Sequence, residues 1–208
     1  MINELAKIES FYNSMEFEMG IGQSVYDNAQ LPTKRYFLEK RWSDGENILG
    51  AILMNPSKAT SVKGDNTINA LIDYAKKYNY DALYVVNIIP LIKSESDKLD
   101  DLSEEELKSM VREDKQKTFI KFLLTNSKRI LLGWGEKGHK YFRILIEDSE
   151  IKNDFKIISE KCYTFVLNIN SDFPWHPFPN GIIPKNYLSR PLIPIREELR
   201  YWLGGPQS

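Results

Sequence analysis

Four short apolar runs occur at intervals along the chain. They are NILGAILM (47–54), ALYVVNIIP (82–90), RILLGWG (129–135) and YTFVLNI (163–169). Runs of this length that are apolar nearly throughout are typical of strands buried on both faces of a sheet. Segments with helical spacing lie between them, so strands alternate with helices along the chain. The pattern predicts an α/β fold with a parallel sheet that helices cover on both faces.

Helix signals fall on either side of these runs. Residues 68–78 have apolar positions at helical spacing, and three good N-cap residues precede them: Asp65, Asn66 and Thr67. A capping box, Ser103 to Glu106, opens helical sequence that continues to Thr125 in one helix or two. Further helices are predicted over residues 2–17, 137–147 and 196–203.

A turn sequence precedes the first apolar run. Ser43-Asp44-Gly45-Glu46 separates KRYFLEKRW (34–42) from residues 47–54. Asp-Gly between two such runs is typical of a β-hairpin, so we predict that these two segments pair with each other.

The length of 208 residues predicts a single domain over 1–208. We divide it into an N-terminal helical extension (1–33), a core (34–180) and a C-terminal wrapping segment (181–208). Six of the ten prolines lie between residues 171 and 195, which indicates an ordered segment without the composition of a flexible linker.

Composition and charge exclude several classes of protein. The formal net charge of -1 gives no general attraction to polyanions, so a nucleic-acid or nucleotide partner would need a local basic patch. The single cysteine, Cys162, excludes an internal disulfide and a cysteine-based zinc site. No apolar stretch approaches the ~20 residues of a spanning helix. We expect a cytoplasmic protein without membrane contact, metal or cofactor, and its oligomeric state stays open.

Polar residues follow or interrupt the predicted strands. Asn55 comes directly after the first apolar run, Asn87 lies inside the second, and the His176-Pro177 turn follows the fourth. In parallel sheets, ligands bind beyond the carboxyl ends of the strands. We therefore expect these residues to converge on one site.

The order of motifs resembles a family of unknown function, DUF1643. The segments that carry the resemblance are RYFLEKRW, MNPSKAT, GDNT, VVNIIPL, LLGWG and WHPF, which together extend from about Arg35 to Pro179. The family name supplies no activity.

A second resemblance, to the uracil-DNA glycosylase superfamily, does imply an activity. Met54-Asn55-Pro56-Ser57 looks like the motif that positions the hydrolytic water, and Asn87 looks like the base-reading residue. Residues 132–135 look like the later "LWG" sequence, and His176-Pro177 looks like the loop with the catalytic histidine. The resemblance implies a three-layer α/β/α sandwich around a mainly four-stranded parallel sheet, here with an added N-terminal helix and hairpin.

The implied reaction is hydrolysis of an N-glycosidic bond in DNA or a nucleotide. The departing base carries negative charge, which His176 would stabilise by donating to a base carbonyl, while Asn55 or Asp65 would orient water. Asn87 offers a donor and an acceptor in one plane, which suits the edge of a base. Further substrate contacts are assigned to four residues: Ser57, Lys58, Thr67 and Trp134.

Each candidate also has a structural interpretation. Asn55 before proline is typical of a turn, and Asp65 of a helix cap. Asn87 needs a structural partner if it has no ligand, and His176 sits in a loop rich in aromatic residues and proline.

Three other residues have structural interpretations that we favour. Trp134 is expected in the core, His139 at the surface or as a cap, and Cys162 as a small buried hydrophobe.

The departures from the superfamily pattern keep three functions open. No glycine precedes Asn55, Ser57 replaces a glycine, and Phe178-Pro179 replaces the small hydroxyl residue after His-Pro. Basic residues around the first motif form either a phosphate-binding rim or the solvated face of the hairpin: Lys34, Arg35, Lys40, Arg41, Lys58 and Lys63. The chain is therefore predicted to be a glycosylase, a non-catalytic nucleotide-binding or sequestering protein, or a structural protein, in that order.

Overall fold

A mixed β-sheet with helices around it forms the part of the chain that the computed structural model describes. The described residues are 21–28, 30–56, 65–92, 102–165, 173–177 and 191–204. The predicted helix over residues 2–17 lies outside them.

From residue 48 to residue 164, one or two α-helices lie between each strand and the next. The strands are β1 (Ile21–Tyr26), β2 (Arg35–Arg41), β3 (Ile48–Leu53), β4 (Ala82–Asn87), β5 (Arg129–Gly133), β6 (Cys162–Thr164) and β7 (Ile193–Pro194). The helices are α1 (Asn66–Lys77), α2 (Glu104–Val111), α3 (Asp114–Asn126), α4 (Gly135–Leu145), α5 (Ser149–Ile157) and α6 (Arg196–Trp202). None of the described helices has the length and apolar character needed to cross a membrane.

The seven strands are ordered β1-β2-β4-β3-β5-β6-β7. The four central strands β4, β3, β5 and β6 are parallel, and β1, β2 and β7 pair antiparallel at the two sides. The α/β class and the parallel central sheet are therefore confirmed. Strand β1 lies within the segment 1–33 that we predicted as a helical extension, so that part of the prediction is wrong. Strand β7 and helix α5 had no sequence prediction.

Two apolar clusters hold the sheet, one on each face. Alternate residues of β3 divide between them: Leu49, Ala51 and Leu53 belong to the cluster that contains the buried side of α1. Ile48 and Ile52 belong to the cluster that contains residues of the five other helices. This is the alternation expected when both faces of a central strand are covered.

The predicted hairpin between β2 and β3 is wrong. β4 lies between these two strands and pairs with both of them. Asp81, just before β4, explains the arrangement: its main-chain oxygen accepts from Trp42 N at 3.1 Å, and its Oδ2 accepts from Asn47 N at 2.8 Å. The Asp44-Gly45 turn therefore crosses the start of β4, and it is held by a residue distant in sequence.

Local capping signals predicted the starts of α1 and α2 correctly. Asp65 Oδ1 accepts from Ile68 N at 2.8 Å at the start of α1, and Ser103 and Glu106 form a complete capping box at α2. The helical sequence up to Thr125 divides into α2 and α3, and α6 agrees with the prediction over residues 196–203. The predicted fourth strand is present as β6, while residues 166–169 of that prediction lie outside the described part.

Candidate functional site

Three strands of the parallel sheet end at the same level. Leu53 of β3 pairs in register with Asn87 of β4 on one side and with Gly133 of β5 on the other. Beyond this row, Ile88 N donates to Leu53 O and Ile89 N donates to Met54 O, both at 2.9 Å. The segments that carry Asn55, Asn87 and Gly135 therefore leave the sheet side by side at its carboxyl edge.

The segment with His176 lies at this same edge. Gly135 N donates to Pro174 O at 2.9 Å. A Cβ added to Gly135, whose φ is +70°, would lie 3.5 Å from His176 Cβ, and one added to Gly133 would lie 2.8 Å from Pro177 Cδ. The structure thus brings the His176-Pro177 turn against the end of β5, on the same sheet edge as Asn55.

Asn87 is held at two of its polar atoms. It is 1% exposed. Its main-chain oxygen accepts from Gln116 Nε2 of α3, and its Oδ1 accepts from Arg35 Nη2 at 3.4 Å. Its Nδ2 is buried and has no hydrogen-bond partner within the described segments. A buried donor left without a partner costs on the order of 1–3 kcal/mol.

Arg35 is a buried cation, although we predicted it in either a phosphate-binding rim or the solvated face of a hairpin. It is 2% exposed and lies at the start of β2, where its main-chain N donates to Pro90 O at 2.8 Å. Burial lowers the pKa of the guanidinium to about 10, against the opposing effect of Tyr26 and Asp65. No local signal marked this burial, because a charged residue is buried only where specific groups surround it, and Asn87, which accepts from Arg35, is distant in the sequence.

The first motif and the start of α1 contribute polar groups at this edge. Asn55 is half-buried, and its Nδ2 donates to Pro56 O at 3.4 Å. Asp65 caps α1 as predicted, and it lies close enough to Arg35 to act on its charge. Thr67 is half-buried in the first turn of α1. Ser57 and Lys58, both predicted substrate contacts, lie outside the described residues.

We call Arg35, Asn55, Asp65, Asn87 and His176 the strand-end group. Asn55 and Asn87 lie at or just beyond the carboxyl ends of β3 and β4, and the His176 turn packs against the end of β5. Arg35 donates to Asn87 Oδ1, and the charge of Asp65 acts on Arg35. Guanidinium, amide, carboxylate and imidazole groups together offer donors and acceptors on a rigid edge, which suits a planar polar ligand.

Trp134 is a core residue. It is 1% exposed, and its ring stacks on Phe142 at a centroid distance of 4.4 Å and contacts Trp202 at 6.2 Å. This position favours the core interpretation over a role in stacking on a substrate.

The surface prediction for His139 is wrong. His139 is 7% exposed and contacts the Trp202 ring at 5.6 Å, because it lies on the inner face of α4 with Phe142. Cys162 is buried as predicted, and burial raises the pKa of its thiol.

The basic residues near β2 do not form an exposed phosphate-binding rim. Lys34 pairs with Glu113 at 2.8 Å and Arg41 with Glu39 at 2.7 Å. Lys40 is 4% exposed, and burial, with a smaller effect of Arg35, lowers its pKa to about 8. Nor are these residues a solvated hairpin face, since Arg35 and Lys40 are buried. Lys58 and Lys63 lie outside the described residues.

A family model described as "Protein of unknown function (DUF1643)" matches residues 35–178, more than half of the chain. The chain belongs to the DUF1643 family. No curated protein and no solved structure matches it.

The DUF1643 match begins at Arg35 and ends just after the His176-Pro177 turn, so it contains the whole strand-end group. Within the described part of this DUF1643 protein, no three His, Cys, Asp or Glu side chains gather as a metal-ligand set.

Gly133 offers a test of the contact between β5 and the His176 turn. In Gly133→Ala the new Cβ would lie 2.8 Å from Pro177 Cδ and 3.1 Å from Pro177 Cγ, so the proline ring must move, and His176 with it. Overpacking of this kind costs about 1–3 kcal/mol. We expect a lower melting temperature, measured by thermal unfolding, together with weaker nucleotide binding, measured by titration.

Gly50→Ala is the matched control. Its Cβ would meet Ser127 Oγ at 2.5 Å and Leu123 Cδ2 at 2.8 Å, away from the carboxyl edge. We expect a similar loss of stability with ligand binding retained. Equal losses of binding in both variants would show that the His176 turn has no special role.

Proposed function

We propose that this DUF1643 protein recognises a nucleobase at the carboxyl edge of its sheet and hydrolyses the N-glycosidic bond that carries the base. The observation that carries the proposal is Asn87, a 1% exposed amide whose Nδ2 has no hydrogen-bond partner in the described part of the chain. It sits on the strand that the glycosylase resemblance assigns to base reading.

The fold is consistent with this assignment. Four parallel strands with helices on both faces support a three-layer uracil-DNA glycosylase-like sandwich. The Asn55, Asn87, Trp134 and His176 motifs follow the superfamily order, and all four come at or beyond the ends of parallel strands.

The roles follow from the chemistry of the side chains. Asn87 donates to the base through Nδ2. His176 donates to a base carbonyl and stabilises the negative charge of the leaving base, the kind of preorganised contact that contributes most to such reactions. Asn55 holds the attacking water, or Asp65 does so through its carboxylate.

Base release is the direct test. The full chain is incubated with DNA and with free nucleotides that carry natural and modified bases. We expect free base from at least one substrate and, from DNA, alkali-labile abasic sites. If the screen yields binding but no release from any substrate, the glycosylase proposal fails.

A non-catalytic nucleotide-binding protein is the second candidate. The observation that favours it is the lack of an exposed basic rim among the described residues near β2, since duplex binding rests on phosphate contacts. The same observation favours a free nucleotide or an unpaired base over duplex DNA as the ligand. A screen without release or binding would leave a structural role for the Asn and His residues.

A further inference from the structure

Arg35 fixes which atom of the Asn87 amide is left for a ligand. Arg35 Nη2 and Asn87 Oδ1 lie 3.4 Å apart, and both residues are buried. A guanidinium carries only donors, whereas the two ends of an amide differ: the oxygen accepts and the nitrogen donates. The amide oxygen must therefore face Arg35, since the opposite orientation would set donor against donor.

The rest of Asn87 is also held in place. Its main-chain oxygen accepts from Gln116 Nε2, and β4 pairs with β3 up to the Leu53–Asn87 pair. Immediately after it, Ile88 N donates to Leu53 O at 2.9 Å. With the backbone fixed, rotation of the amide by 180° about its terminal torsion is the remaining way to exchange Oδ1 and Nδ2, and Arg35 opposes that rotation.

We infer that Arg35 is a positioning residue that sets base specificity by holding Asn87 with Nδ2 as the group available to the ligand. The site then takes bases that present a carbonyl oxygen to Asn87 and rejects bases that present an amino group there. This inference rests on the proposed function, because it names the class of base that the Asn87 site accepts.

Matched nucleotide pairs test the inference. UMP and CMP differ by a carbonyl against an amino group, and so do IMP and AMP. We expect the wild-type protein to bind the carbonyl member at least about tenfold more tightly, because an amino group opposite Nδ2 leaves two buried donors unpaired. Titration of the full chain with each nucleotide gives the ratio. A preference for the amino members would overturn the inference.

Substitutions at Arg35 test whether this residue orients the Asn87 amide or only supports the fold. Arg35→Met removes the donors but keeps an apolar chain of similar length, so the amide can rotate and the ratio should fall to within about threefold of one. Arg35→Lys keeps a cation that only donates and should retain most of the preference. Lys34→Met, at the neighbouring residue that pairs with Glu113, is the control and should leave the ratio unchanged. An unchanged ratio in a folded Arg35→Met protein overturns the inference.

A readout without nucleotide distinguishes this inference from the proposed function. The side-chain amide signals of Asn87 in a nitrogen–proton NMR spectrum are assigned by their loss in Asn87→Leu. We expect Arg35→Met, or Arg35→Gln if the methionine variant does not fold, to shift these signals, and Lys34→Met to leave them in place. If no nucleotide binds but the signals shift, the proposed function fails and the positioning role stands. Unshifted signals overturn the positioning role.

Discussion

Replacing His176 with alanine should lower the rate of base release by about 10²–10³, the loss expected when one preorganised donor is removed from a transition-state site. Substrate binding should fall far less, because His176 is proposed to act on negative charge that develops only as the base departs. Single-turnover release and equilibrium titration of the same substrate give the two quantities. The structure supports the placement, since the His176 turn packs against the end of β5 at the edge that carries Asn55.

Two companion variants make this result interpretable. His176→Gln keeps a side-chain donor and should recover part of the lost rate, whereas a purely packing role would give no such recovery. Asn55→Ala should lower the rate by a similar factor if Asn55 holds the water, and Asp65→Asn should do so if Asp65 does. Equal losses of affinity and rate in His176→Ala would contradict the catalytic role and favour the nucleotide-binding alternative.

The central fold could be predicted from sequence because its signals are local. β3, β4 and β5 are apolar nearly throughout, and a parallel sheet covered on both faces requires such strands. Asp65 and Ser103 mark the starts of α1 and α2, because their side chains cap the first turn. These three strands and two helices could therefore be predicted near their observed positions.

The pairing of β2 could not be predicted in the same way. The Asp44-Gly45 turn favours a hairpin, but the carboxylate and main-chain oxygen of Asp81 hold this turn across the start of β4. That contact joins residues more than thirty positions apart. No pattern within the turn reveals it, and tertiary contacts here overrode the local signal.

The candidate site, too, could be predicted only where its signals are local. The edge could be predicted, because ligand sites of parallel sheets lie beyond the carboxyl ends of the strands, and Asn55, Asn87 and His176 follow that rule. The burial of Arg35 could not be predicted, because it depends on β2 pairing with β4 rather than with β3. The helical position of His139 likewise gave no sign that it faces the core.

Asn87→Leu should abolish nucleotide binding while the protein stays folded. Leucine branches at the same carbon as asparagine, with methyl groups in place of the amide oxygen and nitrogen, and the substitution removes a buried Nδ2 that has no hydrogen-bond partner in the described segments. Removing this unpaired donor stabilises the folded state, which offsets the loss of the 3.4 Å contact with Arg35 Nη2. Functional sites are often locally suboptimal for stability, so we expect the melting temperature to stay within about 4 °C of the wild type or to rise.

Ser127→Ala is the matched control for Asn87→Leu, because Ser127 Oγ is also buried without a hydrogen-bond partner in the described part of the chain. Ser127 lies before β5, at the opposite end of that strand from Gly133, so its substitution should change neither binding nor stability by much. Thermal unfolding and nucleotide titration of both variants separate the two interpretations of Asn87. A drop of many degrees in Asn87→Leu with nucleotide affinity retained would assign Asn87 to a structural network with Arg35 and Gln116. Loss of binding at an unchanged melting temperature would identify its amide as a group that the fold holds in place for a ligand.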